Sequence, residues 1–309
     1  MEQHVPVLRD QVLEQLVTRP DGVYLDCTFG RGGHSRAILE CLGDGGRLYA
    51  LDRDPQAVAV GRELAAEDER FVIGHAPFSN FGSYLDAQGV DCLDGLLLDL
   101  GVSSPQLDDA DRGFSFVREG PLDMRMDPGS GLSAAQWLNA AEEGEIAQVL
   151  RRLGEEKAAG RIARAIGQRR REKAINTTGE LAALIEAEVP RRPGAKHPAT
   201  RSFQAIRMHI NRELDELDAA LAQTPDRLRA GGRLCVISFH SLEDRLVKRF
   251  FRLHSSKPIL PRGLPVRDEE LMSGIRLRLI GKAIRAGAQE LSLNPRARSA
   301  VLRVAERTA

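Results

Sequence analysis

A glycine-rich loop, which follows a predicted strand ending in an aspartate, contains the first residues whose types could bind a ligand. The loop Gly30-Arg31-Gly32-Gly33 follows the predicted strand 23–26, which ends at Asp26. Glycine has no Cβ atom and tolerates positive φ, so the backbone here could approach a ligand closely. The helix predicted to follow offers unpaired N–H groups in its first turn. The loop therefore predicts a ligand site at the end of the first strand.

The position of Asp52 indicates which class of ligand the loop would bind. It ends the next predicted strand, about 20 residues after the loop, where an acid in nucleotide-binding folds accepts hydrogen bonds from ribose hydroxyls. The ligand is thus predicted to contain a nucleoside. A dinucleotide would require G-x-G-x-x-G, whereas this loop reads G-x-G-G-H with an arginine inside it. NAD is therefore disfavoured but not excluded.

Alternating strands and helices position these residues. The predicted elements of the first third are strands at 23–26, 47–52, 70–74 and 95–100, with helices at 35–42 and 54–64. The run at 95–100 is apolar except for Asp99, as in a strand buried on both faces of a parallel sheet. This alternation predicts a doubly wound α/β fold.

A purely helical stretch interrupts that pattern. Over 132–190 no strand is predicted, and capping boxes at Ser133/Gln136 and Thr177/Glu180 begin two helices. The later predicted elements are an amphipathic helix at 203–221, a strand at 233–239, a helix capped by Ser241 and reaching 251, and an antiparallel pair at 275–282 and 300–305. We therefore predict a discontinuous α/β domain, 1–131 and 200–309, with a helical insertion at 132–199.

Composition excludes several classes of protein. The chain has 309 residues, 44 basic and 44 acidic side chains, and four cysteines that form no C-x-x-C pair and lie near no histidine at metal-ligand spacing. This favours reduced thiols in a cytoplasmic protein without a metal site. No apolar run approaches the length of a membrane span, and the N-terminus lacks a secretion signal, so neither membrane insertion nor export is expected.

Charge is distributed unevenly along the chain although its sum is zero. Between 151 and 174 there are nine basic residues against three acidic ones, and between 191 and 212 there are six basic residues and no acidic one. The basic residues are Arg151, Arg152, Lys157, Arg161, Arg164, Arg169, Arg170, Arg171, Lys173, Arg191, Arg192, Lys196, Arg201, Arg207 and Arg212. They indicate a phosphate backbone as partner, or simply a solvated helical face.

Seven segments resemble one known family. They are DCTFGRGGHS at 26–35, LDLGVSSPQLD at 98–108, RGFSF at 112–116, GPLDMRMD at 120–127, HPATRSFQA at 197–205, ISFHSLEDR at 237–245 and NPRARS at 294–299. The first is similar to the first motif of S-adenosylmethionine-dependent methyltransferases. Together, over nearly the whole chain, they resemble the bacterial ribosomal RNA small subunit methyltransferase H family.

The resemblance carries expectations about fold and activity. The motifs imply a Rossmann-like methyltransferase domain interrupted by a helical substrate-binding insertion. They imply S-adenosyl-L-methionine as methyl donor and the N4 amine of a decoding-region (P-site) cytidine, position 1402 of 16S rRNA, as target. The implied partner is 16S rRNA in the small ribosomal subunit.

The resemblance also assigns a methyl-donor site. The implied contacts are the backbone of Gly32, Gly33 and His34 for the methionine part, Asp52 for the ribose, Phe78 for the adenine, and Asp99 and Gln106 to complete the set. From the sequence alone, Phe78 could equally be a core phenylalanine. His34 is expected to act through its backbone, with no acid–base role.

Asp99 is the first candidate for catalysis, because it lies where amino-methyltransferases place a residue that accepts a hydrogen bond from the target amine. In those enzymes Pro-Pro-aromatic follows, but here the chain continues Leu-Gly-Val-Ser-Ser-Pro. With that aromatic absent, Phe114 or Phe116 could stack on a flipped base.

Several charged residues have two readings. Arg31, Asp123, Arg125 and Asp127 could line the target pocket or pair with one another. Arg296 and Arg298 could contact RNA or belong to the turn into the last strand, and Arg201 lies in the second basic segment.

Other classes of function remain open at this level. The alternatives are a hydrolase using Ser238, His240, Ser241 and Asp244, an NAD-dependent oxidoreductase, a non-catalytic ribosome-assembly factor, and a methyltransferase acting on DNA or protein. The hydrolase lacks a nucleophile-elbow pattern, so capping and substrate-loop roles are favoured for its residues. The glycine loop, Asp52 and Asp99 argue against the assembly factor.

Overall fold

Two compact units make up the chain in the computed structural model. The structure describes residues 6–190, 194, 197–257 and 274–308. The first unit combines Met1–Gly101 with Leu214–Ala309, and the second is Val102–Glu213. Arg191, Arg192 and Lys196 of the second basic segment lie outside the described residues.

A seven-stranded sheet organises the first unit. Its strands are β1 (Val23–Asp26), β2 (Arg47–Asp52), β3 (Phe71–His75), β4 (Leu93–Asp99), β5 (Leu228–Ser238), β6 (Leu277–Leu279) and β7 (Val301–Arg307). Their order is β3-β2-β1-β4-β5-β7-β6. The first five are parallel, and β7 is antiparallel to both β5 and β6. The predicted α/β fold class is confirmed, since the first five strands have the Rossmann order.

The direction of winding reverses between β1 and β4. These strands are neighbours, with Asp26 opposite Leu97, although β2 and β3 come between them in the chain. In open α/β sheets a ligand binds beyond the carboxyl ends of the strands at such a reversal. The fold therefore directs attention to the ends of β1 and β4.

Helices cover both faces of this sheet. The helices of the first unit are α1 (Arg9–Leu16), α2 (Gly33–Cys41), α3 (Pro55–Glu67), α4 (Phe81–Ala87), α11 (Glu213–Arg227, whose first residue belongs to the second unit), α12 (Ser241–Ser255) and α13 (Ala288–Leu293). Successive side chains of a strand point to opposite faces. Accordingly Leu97 packs into one apolar cluster, and Leu96 and Leu98 pack into the other.

The second unit is helical. Its helices are α5 (Ser104–Asp108), α6 (Ala134–Ala140), α7 (Glu143–Gly154), α8 (Ala159–Glu172), α9 (Thr178–Glu188) and α10 (Ala199–Ile210). The predicted capping boxes begin α6 and α9. The unit is longer than the predicted insertion at 132–199, because Leu122 and Met124 before it, and Phe203 and Ile206 in α10, pack into the helical core.

The helix predicted over 203–221 is two helices. The chain breaks between α10 and α11, where Arg212 has φ of 50°. Asn211, which is buried, accepts from Met126 N at 2.8 Å through Oδ1 and donates to Met124 O at 2.7 Å through Nδ2. The apolar periodicity continues across the break, so the sequence pattern alone does not reveal it.

The predicted cap of α12 was also wrong by one residue. His240 is the N-cap, and its Nδ1 accepts from Glu243 N at 3.4 Å. Glu243 in turn accepts from Phe239 N at 2.8 Å. A histidine nitrogen thus does what a serine hydroxyl was expected to do.

Asn211→Ala should destabilise the protein by about 3 kcal/mol, because it leaves two buried backbone groups without partners. Urea unfolding followed by circular dichroism measures the change. The control is Asn176→Ala in the same unit, whose exposed side chain should cost less than about 0.5 kcal/mol. Equal losses in the two variants would show that the Asn211 contacts do not stabilise the unit.

Candidate functional site

The carboxylate of Asp26 closes the glycine-rich loop. Its Oδ1 accepts from Thr28 N at 3.0 Å, and its Oδ2 accepts from Ser35 Oγ, in the first turn of α2, at 2.7 Å. The side chain is 1% exposed, and this burial raises its pKa. Asp26 therefore ties the two ends of the loop together and is not presented to a ligand.

Asp52 anchors the middle of the same loop. Its Oδ2 accepts from Gly30 N at 2.7 Å, and its Oδ1 accepts from Asp54 N at 2.8 Å. Burial raises the pKa of Asp52 to about 6 even though both hydrogen bonds favour the charged form. Each carboxylate oxygen has a second lone pair, and the residue remains partly exposed. Asp52 can therefore accept from a ligand hydroxyl while it holds the loop.

Gly32 is required by the conformation of the loop. Its φ is +75°, and a Cβ atom there would lie 2.7 Å from the Phe29 ring. At Gly33 a Cβ atom would lie 3.2 Å from Pro6. The protein's own side chains thus account for both glycines, and the loop still leaves the α2 N-terminus without a side-chain cap.

Asp99 differs from the other two acids in that its carboxylate is not used by the loop. Its backbone N–H donates to Thr28 Oγ1 at 2.8 Å, but among the described residues Oδ1 is enclosed without a hydrogen-bond partner. The Asp99 side chain as a whole is 24% exposed. Its Oδ1 atom is enclosed, but another part of the side chain lies at the surface. Burial, and then the negative charges of Asp26 and Glu243, raise the pKa of Asp99 well above its ordinary value. Asp99 is thus an acid held ready to accept a proton or a hydrogen bond.

His34 faces Asp99 from the start of α2. Its Nε2 lies 3.6 Å from Asp99 Oδ2, and its side chain is 6% exposed. Burial lowers the pKa of His34 to about 4, so the ring is neutral at pH 7. No spacing along the chain predicts this approach, since the two residues lie on elements far apart in the sequence.

The end of β3 adds an aromatic side chain. Phe78 begins a short 3₁₀-helix, Phe78–Asn80, just after that strand. It is partly buried and packs against one of the two sheet clusters. Phe78 therefore packs in the core, as the alternative interpretation expected. It also keeps exposed ring surface that a ligand could contact.

The first unit thus brings together most of the predicted methyl-donor site. Gly32, Gly33, His34, Asp52, Phe78 and Asp99 all lie just beyond, or at, the carboxyl ends of β1 to β4. Buried polar atoms without partners among the described residues, a helix N-terminus without a side-chain cap and an acid at the ribose position suit a nucleoside-containing ligand. The residues present therefore fit S-adenosylmethionine. Thr28, which fixes the backbone of Asp99, was missed by the sequence reasoning.

The remaining predicted site residues of the second unit have clear local roles. Gln106 is buried and forms a capping box with Ser103 at the start of α5. Phe114 is 6% exposed, with the Arg112 guanidinium 5.7 Å from its ring centre. Phe116 is partly buried, and its ring centre lies 4.8 Å from that of Phe203.

The charged loop of the second unit forms an internal ion pair. Arg125 Nε donates to Asp123 Oδ1 at 2.8 Å and Arg125 Nη2 donates to Oδ2 at 2.7 Å. Of the two interpretations, pairing with each other is the one observed for Asp123 and Arg125. Arg31, Arg296 and Arg298 are exposed in the first unit.

The basic segment of the second unit divides into paired and unpaired residues. Arg170 donates to Leu138 O and Ala141 O, while Arg171 pairs with Glu143. Within the described part of the chain, five exposed residues of this segment have no acidic partner: Arg151, Arg152, Lys157, Arg161 and Arg164. Arg201 is exposed in α10 and donates to Glu155 O at 3.4 Å. The unpaired group offers cationic surface at the end of α7 and along α8.

The hydrolase reading finds no support in the geometry. Asp244 pairs with Arg303 at 2.6 Å and with Lys248 at 3.2 Å, and His240 caps α12. The favoured capping role is therefore confirmed for His240. Among the described helices none is long and apolar enough to span a membrane.

Comparisons with known proteins place these observations in a family. The model of the MraW methylase family matches residues 1–308. A ribosomal RNA small subunit methyltransferase H from Thiobacillus denitrificans is 58% identical over 306 residues, which are 99% of this chain and 97% of that protein.

Two solved structures of low sequence identity are also similar. An rRNA methylase from Streptococcus thermophilus is 10% identical with a TM-score of 0.41, and the match covers 97% of this chain and 94% of that one. Fibrillarin from Aeropyrum pernix, with natively bound S-adenosyl-L-methionine, is 11% identical with a TM-score of 0.37, and the match covers 94% and 70%.

Gly32→Ala should destabilise the protein by about 2–4 kcal/mol, because the new methyl group meets Phe29 and the residue must keep positive φ. Gly89→Ala is the matched control. Gly89 also has positive φ, of +70°, but has nothing within 4 Å of its Cβ position. It should cost only about 1 kcal/mol in urea unfolding. Similar losses would mean that Phe29 moves aside.

Proposed function

Since the chain belongs to the MraW methylase family, we propose that it methylates the N4 amine of a decoding-region cytidine in 16S rRNA, with S-adenosylmethionine as methyl donor. The name of the Thiobacillus denitrificans relative supports the small-subunit rRNA as substrate. The N4 atom rests on the motif resemblance and on the chemistry of Asp99. An rRNA substrate implies action in the cytoplasm, on the small subunit.

The observation that carries the proposal is the state of Asp99. Its carboxylate lies at the end of β4, beside the glycine-rich loop, with one oxygen unpartnered within the described structure and a raised pKa. An amino group that is to be methylated must be held by an acceptor and must lose a proton. Asp99 supplies both functions in one residue, next to a site that suits a nucleoside.

The other residues of the first unit hold the methyl donor. Asp52 accepts from the ribose hydroxyls, the backbone at Gly32 and Gly33 contacts the methionine part, and Phe78 contacts the adenine. S-Adenosylmethionine supplies an electrophilic methyl group on a sulfonium. The assignment of Gln106 to the methyl donor rests on the motif resemblance alone.

Positioning is the main task left to the protein. The N4 lone pair of cytosine is delocalised into the ring, so the amine is a weak nucleophile that must be aimed at the methyl carbon. The Asp99 carboxylate accepts from the amine and orients it. As the positive charge develops on nitrogen, the same carboxylate takes the proton, which its raised pKa favours.

The second unit is proposed to bind RNA. Arg161 and Arg164 lie three residues apart on the exposed face of α8, and neither has an acidic partner in the described chain. Such a face suits phosphates. Phe116 keeps more exposed surface than Phe114 and is the better candidate to stack on the base, while Arg31, Arg125, Arg201, Arg296 and Arg298 remain proposed RNA contacts.

Methyl-labelled S-adenosylmethionine and small subunits that lack the modification test the proposal directly. We expect label in N4-methylcytidine after nuclease digestion and mass spectrometry. Asp99→Asn should lower the single-turnover rate by about 100-fold or more, because the amide cannot take the proton. The control is Asp91→Asn, an exposed acid of the same unit, which should leave the rate unchanged.

Other patterns of labelling would contradict the proposal. Label in DNA or protein alone would exclude an rRNA substrate, and label at another position of cytidine would exclude the N4 atom. A result with neither binding of S-adenosylmethionine nor transfer to RNA would leave the assembly-factor class.

Arg161→Gln with Arg164→Gln should weaken binding to small subunits. Loss of two phosphate contacts should reduce the slope of log K against log salt by about 2. Arg249→Gln with Arg252→Gln is the control for overall charge, because these exposed arginines have the same spacing on α12, where Arg249 pairs with Asp218 at 3.5 Å. Filter binding at several salt concentrations measures both slopes. An equal reduction in the control would mean that the loss reflects overall charge and not the face of α8.

A further inference from the structure

The proposed methyl-donor contact of His34 is made by its backbone. The His34 side chain has no part in that contact and is buried. The ring is 6% exposed, and among the described residues neither nitrogen has a well-aligned hydrogen-bond partner. A hydrogen bond to the Val7 backbone raises the pKa of the ring, against the larger effect of burial. Buried polar side chains are nearly always paired. Among the described residues, the buried Nε2 that faces Asp99 therefore indicates a hydrogen bond that forms when the ligands bind.

The burial of His34 is fixed by residues outside its loop. Pro6 packs against Gly33, and Val7 is buried in the adjoining apolar cluster. Leu8 N donates to Glu290 Oε1 in α13 at 2.7 Å, which ties this segment to the C-terminal part of the same unit. The segment before α1 is thus held against the glycine-rich loop and tied to α13.

Asp99 presents the complementary group. Its Oδ2 lies 3.6 Å from His34 Nε2, and its enclosed Oδ1 has no partner within the described residues. The 3.6 Å separation is longer than a hydrogen bond, but catalytic hydrogen bonds are often long before the ligand binds. A shift of about half an ångström would close this one.

We propose that His34 is a positioning residue for Asp99: its Nε2–H donates to Asp99 Oδ2 and so orients the carboxylate toward the exocyclic amine of the target base. The inference rests on the proposed function. During transfer the amine nitrogen forms a bond to the methyl carbon, and the sulfur–carbon bond breaks with its electron pair going to sulfur. The nitrogen then releases its proton to the Asp99 carboxylate.

The surrounding charges explain why a neutral donor is needed there. Asp26 from β1 and Glu243 from α12 raise the pKa of Asp99, while burial and the charge of Arg9 from α1 keep His34 neutral. A hydrogen bond to the ionised carboxylate favours its charged form and lowers its pKa. In the proposed complex, the hydrogen bond from His34 therefore opposes the effect of Asp26 and Glu243 on the pKa of Asp99.

Two substitutions at His34 separate this role from simple packing. His34→Phe keeps a ring without a donor, and His34→Gln keeps an N–H donor. We expect His34→Phe to lower the single-turnover rate at pH 7 by about tenfold or more, with partial rescue in His34→Gln. The acidic limb of the pH–rate profile should move to higher pH in His34→Phe, because Asp99 loses the bond that favours its charged form. Binding of S-adenosylhomocysteine should change by less than about threefold, since the backbone contacts remain.

His254→Phe on α12 is the control, because this ring lies against Phe250 and outside the proposed site. It should leave the rate and the profile unchanged. An active wild-type protein with His34→Phe at the same rate, or with a uniformly lowered rate and an unmoved acidic limb, would overturn the role of His34 alone. An inactive wild-type protein in the same series would instead contradict the proposed function.

Nitrogen-15 NMR of the histidine-labelled wild-type protein gives a readout that does not depend on a variant folding. With S-adenosylhomocysteine bound, we expect the His34 ring to stay neutral with the proton on Nε2 from about pH 5.5 to 8. A neutral ring with the proton on Nδ1 would overturn the proposal, because Nε2 could not then donate to Asp99.

Discussion

The rest of the site depends on the buried carboxylate of Asp26. It accepts from Thr28 on one side of the glycine-rich loop and from Ser35 on the other, and Thr28 in turn accepts from the backbone of Asp99. A single acid at the end of β1 therefore fixes both the loop and the neighbouring strand end. The sheet adds to this constraint, because β1 and β4 are adjacent only through the reversal of winding.

Three acids at neighbouring strand ends have different tasks because their surroundings differ. Asp26 is buried, with its carboxylate bonded to the protein. Asp52 is bonded to the loop yet partly exposed. Asp99 keeps an oxygen without a partner in the described chain. Burial raises the pKa of each. The proposed division into loop closure, ribose binding and proton acceptance follows from hydrogen bonding and exposure, not from residue type.

The sequence predicted the sheet well and the details of the site less well. Apolar runs with acidic ends identified β1 and β2 at their observed bounds, and the family resemblance was confirmed over residues 1–308. The break at Asn211 and the cap at His240 were missed, because both depend on partners that the local pattern does not contain. The approach of His34 to Asp99 was missed for the same reason. Proximity across a sheet is set by topology, which no spacing along the chain reveals.

The discontinuity of the first unit has a consequence for how the chain folds as it is synthesised. The second unit is one continuous segment, and all of its core residues are made before β5 leaves the ribosome. One edge of β4 therefore stays unpaired until the helical unit has been translated, because β5 is the partner of that edge. Contacts of such long sequence separation form slowly, and domains tend to fold as units during synthesis. The helical unit is thus expected to be folded before the sheet whose chain it interrupts can close.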